Sequence, residues 1–106
     1  MGRTLIAAAL TALSTAATAD PEGSVRSAYL ACAVFDSTGL LSAPCEVSGW
    51  HSAVDVSIDT SAREAQEICR GVAAMLRDRA ALFDPGWSLR IYSPFSSGNT
   101  IATCGL

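Results

Sequence analysis

Between residues 54 and 92 the chain changes its hydrophobic period twice. Val54, Val56 and Ile58 alternate with Asp55, Ser57 and Asp59, the two-residue period of a strand with one buried face. From Ala65 the apolar positions fall instead at steps of three and four, through Ile68, Cys69, Val72, Leu76, Ala80 and Phe83, which places them on one side of a helix. Alternation returns at Trp87, Leu89 and Ile91, with Ser88, Arg90 and Tyr92 between them. The order strand, helix, strand makes a βαβ unit, which needs further sheet partners to be stable.

The helix carries its own start signal. Ser61-Ala62-Arg63-Glu64 has the form of a capping box, in which Ser61 accepts from the amide of Glu64 and the Glu64 carboxylate reaches back to the amide of Ser61. Arg63, Glu64, Glu67, Arg70, Arg77, Asp78 and Arg79 occupy the opposite, solvated side. Asp84-Pro85-Gly86 reads as the stop, because proline supplies no amide and disfavours helical geometry in the residue before it. The spacing predicts a helix over about 61–83. Gly71 within it costs about 1 kcal/mol relative to alanine, which suggests close approach by another element.

The flanks are shorter and less regular. Asp20 to Gly23 reads as a loose lead. From Ser24, a candidate cap, Val25, Tyr29, Cys32 and Phe35 fall at helical spacing, and Gly39 is placed to end the segment. The same residues admit a strand over Tyr29–Phe35 with Asp36-Ser37-Thr38-Gly39 as its turn, but the alanine content favours a helix over about 24–37. Cys45-Glu46-Val47 opens a short strand, interrupted at Ser48-Gly49-Trp50-His51-Ser52. Ser96-Ser97-Gly98-Asn99 reads as a hairpin turn before Thr100–Cys104, with Gly98 and Asn99 suited to positive φ. The expected fold is α+β: a three- to four-stranded, largely antiparallel sheet with one long helix and a shorter N-terminal one on a single face.

The first 19 residues stand apart. Arg3, the apolar run Leu5–Leu13 and the small-x-small sequence Ala17-Thr18-Ala19 have the three parts of a secretory signal peptide, with cleavage before Asp20. The run is too short and alanine-rich to serve as a membrane span, and nothing later in the sequence is apolar enough to be one. Removal leaves residues 20–106 as a single small exported domain, with six arginines against ten acidic residues and no lysine. Such a mild negative charge, without a basic run, excludes a nucleic-acid partner and favours solubility. Arginine without lysine, together with abundant alanine, suggests a GC-rich bacterial genome.

Four cysteines in a short exported chain point to two disulfides. Cys32, Cys45, Cys69 and Cys104 contain no CxxC pair. Of the three pairings, Cys32 with Cys45 and Cys69 with Cys104 is favoured, because the first closes a local loop and the second ties the long helix to the last strand. Leu30-Ala31-Cys32 has the outline of a lipoprotein cleavage box, but Glu22 and Arg26 interrupt the apolar run such a box requires, and Tyr29 stands where leucine is usual.

The candidate chemistry is sparse. His51 is the one histidine, and a hydrolase reading pairs it with Asp55 and a nearby serine. No Gly-x-Ser-x-Gly motif supports it, and residues 51 and 55 on one strand would stand apart. Glu46, Asp55 and Asp59 are the only carboxylates that could converge on calcium, and acidic residues on a strand's outer face are usually solvated; no metal or other cofactor is expected. Thiol-disulfide exchange would need an exposed reactive cysteine, whereas Cys69 falls on the buried stripe. The Ser93–Asn99 loop is the most suggestive surface: Arg90 and Tyr92 point away from the core, Phe95 follows Pro94, and Trp50 follows a glycine turn. Phe95 and Trp50 have an alternative role as lids over the open ends of a small core. The pattern fits a periplasmic or secreted binding or structural module of the bacterial envelope with a protein or glycan partner. The competing class is a small secreted hydrolase using His51.

Overall fold

The computed structural model describes residues 20–106, so residues 1–19, with the signal peptide expected there, lie outside the described residues. Six elements follow in order: α1 (Pro21–Asp36), β1 (Glu46–Ser48), β2 (Ala53–Ser57), α2 (Ala62–Asp78), β3 (Ser88–Tyr92) and β4 (Thr100–Gly105). The strands form one sheet in the order β1-β2-β3-β4. The outer pairs are antiparallel hairpins, and the central pair β2–β3 is parallel. The sheet is therefore mixed rather than largely antiparallel. The βαβ unit dictates this: a chain that leaves β2, crosses through a helix and returns beside it arrives in the same direction.

Register puts the alternating residues to use. Val54 stands beside Leu89 and Val56 beside Ile91 across the parallel pair, while Leu89 faces Cys104 and Ile91 faces Ala102. These residues form the floor of the core. Both helices cover it, α1 over β1 and β2 and α2 over β3 and β4. Phe35 and Leu76, almost wholly buried, fill the space above the strands.

Helix α1 begins earlier than its spacing suggests and buries a different stripe. Asp20 is the N-cap, its carboxylate accepting from the amide of Gly23, and Pro21 opens the helix, where a missing amide does no harm. The buried residues are Ser24, Ala28, Ala31, Cys32 and Phe35, whereas Val25 and Tyr29 face outward. Ser24 is not a cap. Its hydroxyl oxygen accepts from the amide of Asp84 at 2.7 Å, fastening the start of α1 to the loop that leads into β3.

Helix α2 keeps its expected start and loses its expected end. Ser61 accepts from the amide of Glu64 at 3.1 Å, but the Glu64 carboxylate takes the hydroxyl of Thr60 at 2.6 Å instead of an amide. The helix stops at Asp78, five residues before Phe83. Ala80 turns into the left-handed region with φ 58°, and the amides of Ala80 and Ala81 donate back to the carbonyls of Arg77 (3.0 Å) and Leu76 (2.9 Å). This is a Schellman ending with alanine where glycine is usual. Phe83 reaches the core from the loop, its ring 5.7 Å from that of Trp87, and Asp84-Pro85-Gly86 forms a turn into β3 rather than the stop of a helix. Gly71 faces open space, and a methyl group there would meet nothing within 4 Å. No neighbour approaches it.

Both favoured disulfides are present. Cys32–Cys45 ties α1 to the chain entering β1, and Cys69–Cys104 ties α2 to β4. All four cysteines are engaged.

Candidate functional site

Among the described residues, no helix covers the sheet's second face. Because the period along each strand is two, the residues between the core positions all emerge here, and register brings Glu46, Asp55, Arg90 and Thr103 into one row across the four strands. At its centre the Arg90 guanidinium donates two parallel hydrogen bonds to Asp55, Nε to Oδ1 at 2.7 Å and Nη2 to Oδ2 at 2.9 Å. The side chains are 26% and 19% exposed, which leaves the pair less screened than an ordinary surface bridge. The hydrogen bonding of Arg90 to Asp55 is the main reason the guanidinium is held above its ordinary pKa, against the opposing effect of burial. Because the folded value is the raised one, this contribution to stability is complete below the ordinary guanidinium range and is lost only above it. Arg90 therefore stays charged and paired throughout the neutral range.

Beside this pair lies a shallow recess of about 240 Å³, walled by Ala43 and Pro44 from the chain entering β1, by Glu46, Asp55 and Ser57 from β1 and β2, and by Tyr92 from β3. A larger concavity of about 540 Å³ follows the outside of α1 along Pro21, Glu22, Val25 and Arg26, but one helix alone bounds it. The recess is the better-built of the two. Three strands and a disulfide-anchored loop frame it: Cys45 sits between Pro44 and Glu46, and the Ser42 amide donates to the Ser57 carbonyl at 2.8 Å.

Beyond Tyr92 the loop to β4 is pinned by its own serines. Ser93 Oγ accepts from the amide of Phe95 at 3.0 Å, Ser96 Oγ accepts from the amide of Ser93 at 3.1 Å, and the Ser96 hydroxyl donates to the Ser93 carbonyl at 2.9 Å. Ser97 and Gly98 take positive φ, rather than Gly98 and Asn99. The loop thus presents Phe95 outward, 80% exposed, and not folded over the core. Trp50 is 97% exposed and closes nothing either. It sits at the tip of the β1–β2 hairpin, where β2 and β3 begin, whereas Phe95 follows the point where β3 ends. The two aromatics stand at opposite ends of the sheet, separated by about 17 Å of strand. Arg90, Tyr92 and Phe95 form one neighbourhood, and Trp50 belongs to another.

Comparison with family models, with curated proteins and with solved structures finds no match. What the surface can do must be argued from its own geometry.

His51 lies beside Trp50 in the hairpin tip. Its Nδ1 is 2.8 Å from Ser48 Oγ, a contact between two exposed side chains. Asp55 is engaged by Arg90 and so does not orient the imidazole. Among the described residues, no three His, Cys, Asp or Glu side chains gather as metal ligands, and no helix is long and apolar enough to cross a membrane. Cys69 is fully buried and bonded, which leaves it without the exposed thiolate that exchange chemistry needs.

Sequence reasoning placed Arg90, Tyr92 and Phe95 on the outward side but missed Asp55 as the partner of Arg90, and it missed the Ala43-Pro44 wall. One signal for the Arg90–Asp55 pair was legible: opposite charges at matching outward positions of the two strands that a single helix connects.

Proposed function

We propose that residues 20–106 form an exported, disulfide-stabilised binding module of the bacterial cell envelope, which engages a protein or glycan through the open sheet face and its Phe95 rim. The carrying observation is the uncovered face: Arg90 paired to Asp55, a recess beside Tyr92, and Phe95 held out by a loop whose hydrogen bonds are internal. An exposed aromatic on a hydrogen-bonded loop that follows a strand with a paired polar row suits an interaction hot spot, since little loop freedom remains to be lost on binding. Trp50 provides a second, separate contact at the far end of the sheet. Two disulfides support residence in an oxidising compartment, in line with the signal-like segment 1–19.

The test is capture from envelope extract by the disulfide-bonded protein, compared with an Arg90→Ala, Tyr92→Ala, Phe95→Ala triple variant whose fold is checked by circular dichroism. Loss of capture supports the reading, and equal capture removes this face from consideration.

One observation favours a second reading, the hydrolase. Ser48 and His51 are within hydrogen-bond distance, as a nucleophile and its base must be. Asp55, the expected third member of the triad, serves Arg90 instead. A purified ester or peptide hydrolysis that disappears in His51→Ala would establish this reading and displace the first.

A further inference from the structure

We infer that the recess between Pro44, Glu46 and Tyr92 receives the cationic side chain, lysine or arginine, of an extended peptide segment of a partner protein; this rests on the binding-module reading and names its ligand. Size comes first. At about 240 Å³ the recess falls below the roughly 300–1,000 Å³ typical of small-molecule pockets, and it is shallow enough that a peptide backbone stays outside while one side chain enters.

Charge selects the side chain. Of the two carboxylates on the recess wall, Asp55 is already matched by Arg90 through two hydrogen bonds. Glu46, its cross-strand neighbour, makes no ion pair among the described residues. A neutral ligand seated here would strip water from Glu46 and return nothing to it, whereas a cationic head group compensates the lost hydration directly. Arg90 forms its ion pair with Asp55 and none with Glu46. The remaining walls suit the rest of such a residue. Ala43 and Pro44 offer an apolar surface for the methylene stem, and the Tyr92 ring offers a face on which ammonium or guanidinium is attracted. The whole chain, with a net charge of −3 and no lysine, draws a basic segment toward it.

The experiment is an NMR titration of the labelled, disulfide-bonded protein with a blocked peptide, Ala-Ala-Arg-Ala-Ala, and with the same peptide carrying citrulline, which keeps the shape of arginine and lacks its charge. The arginine peptide is expected to shift the amides of Glu46, Ser57 and Tyr92. Affinity should fall about five- to tenfold with citrulline and by a similar factor in Glu46→Gln, and it should weaken as salt is raised. Equal binding of the citrulline peptide, unchanged affinity in Glu46→Gln, or shifts confined to another surface overturns the inference, as does the absence of any shift at millimolar peptide. The broader reading fails differently. If the triple variant loses partner capture while Glu46→Gln retains it, the cationic ligand is wrong and the open face stands; if the triple variant captures normally, both fall.

Discussion

On the helix-covered face of the sheet, Val54 and Leu89, then Val56 and Ile91, stand in cross-strand rows beneath Phe35 and Leu76. On the reverse face the same register sets Glu46, Asp55, Arg90 and Thr103 in a row that no element of the described residues covers. Both faces come from the same strands at the same spacing, and a shift of one residue would exchange them. One face can therefore vary its chemistry only within what the other face's packing allows. Substitutions on the covered face should be read out as stability, and those on the open face as binding.

The sharpest trial of that division is the bond that anchors a helix to the covered face. Replacing Cys69 and Cys104 together with serine should lower the stability measured by urea unfolding by about 4 kcal/mol, against about 3 kcal/mol for the Cys32 and Cys45 pair, because the first closes a 35-residue separation and the second one of 13. A reversed ranking would mean that restriction of the unfolded chain is not what these bonds chiefly contribute.

Neighbouring residues on opposite faces make the next test. Ile91→Ala should cost about 3 kcal/mol through the cavity it leaves, and Tyr92→Ala less than about 1 kcal/mol. Similar costs in denaturant titration would erase the distinction. The ion pair is the intermediate case, an open-face feature that also supports the fold. Asp55→Ala should cost about 1–2 kcal/mol, and a double-mutant cycle with Arg90→Ala should recover most of it as coupling between the two.

Two exchanges on α2 should raise stability by about 0.5–1 kcal/mol each. Gly71→Ala fills open space on a helix, and Ala80→Gly relieves a left-handed residue. A lower melting temperature in Ala80→Gly would contradict the helix ending described here, and one in Gly71→Ala would contradict the open space at that position. The smallest effect belongs to Trp50→Ala, which should stay within about 0.5 kcal/mol in thermal unfolding despite the size of the residue, because its ring touches so little.

What could be read from the sequence was what depends on period and pairing. The strand alternation, the α2 stripe and both disulfides follow from spacing that the fold uses directly. The parallel direction of β2 and β3 was implicit in the βαβ order, though the reading of a largely antiparallel sheet passed over it. The ends of elements were harder. Asp20-Pro21 has the form of a cap and first helical residue but resembled a loose lead, because the apolar periodicity begins only at Val25. The end of α2 was obscured because Ala80 and Phe83 continue its apolar spacing, and nothing about an alanine announces a left-handed turn. Trp50 and Phe95 were legible as outward candidates but not as distant ones, since their placement depends on which ends of the strands the parallel pair brings together.

The parallel pair also sets when this molecule can become itself during synthesis. As the chain emerges from the ribosome, α1, β1, β2 and α2 appear first, yet in the sheet β2 has only a three-residue neighbour and α2 has no β3 or β4 to lie upon. The sheet closes only after residues 88–105 have emerged, so the domain stays open until β3 and β4 arrive. That delay accords with the export proposed above, in which a chain is threaded through a narrow translocation channel before it folds.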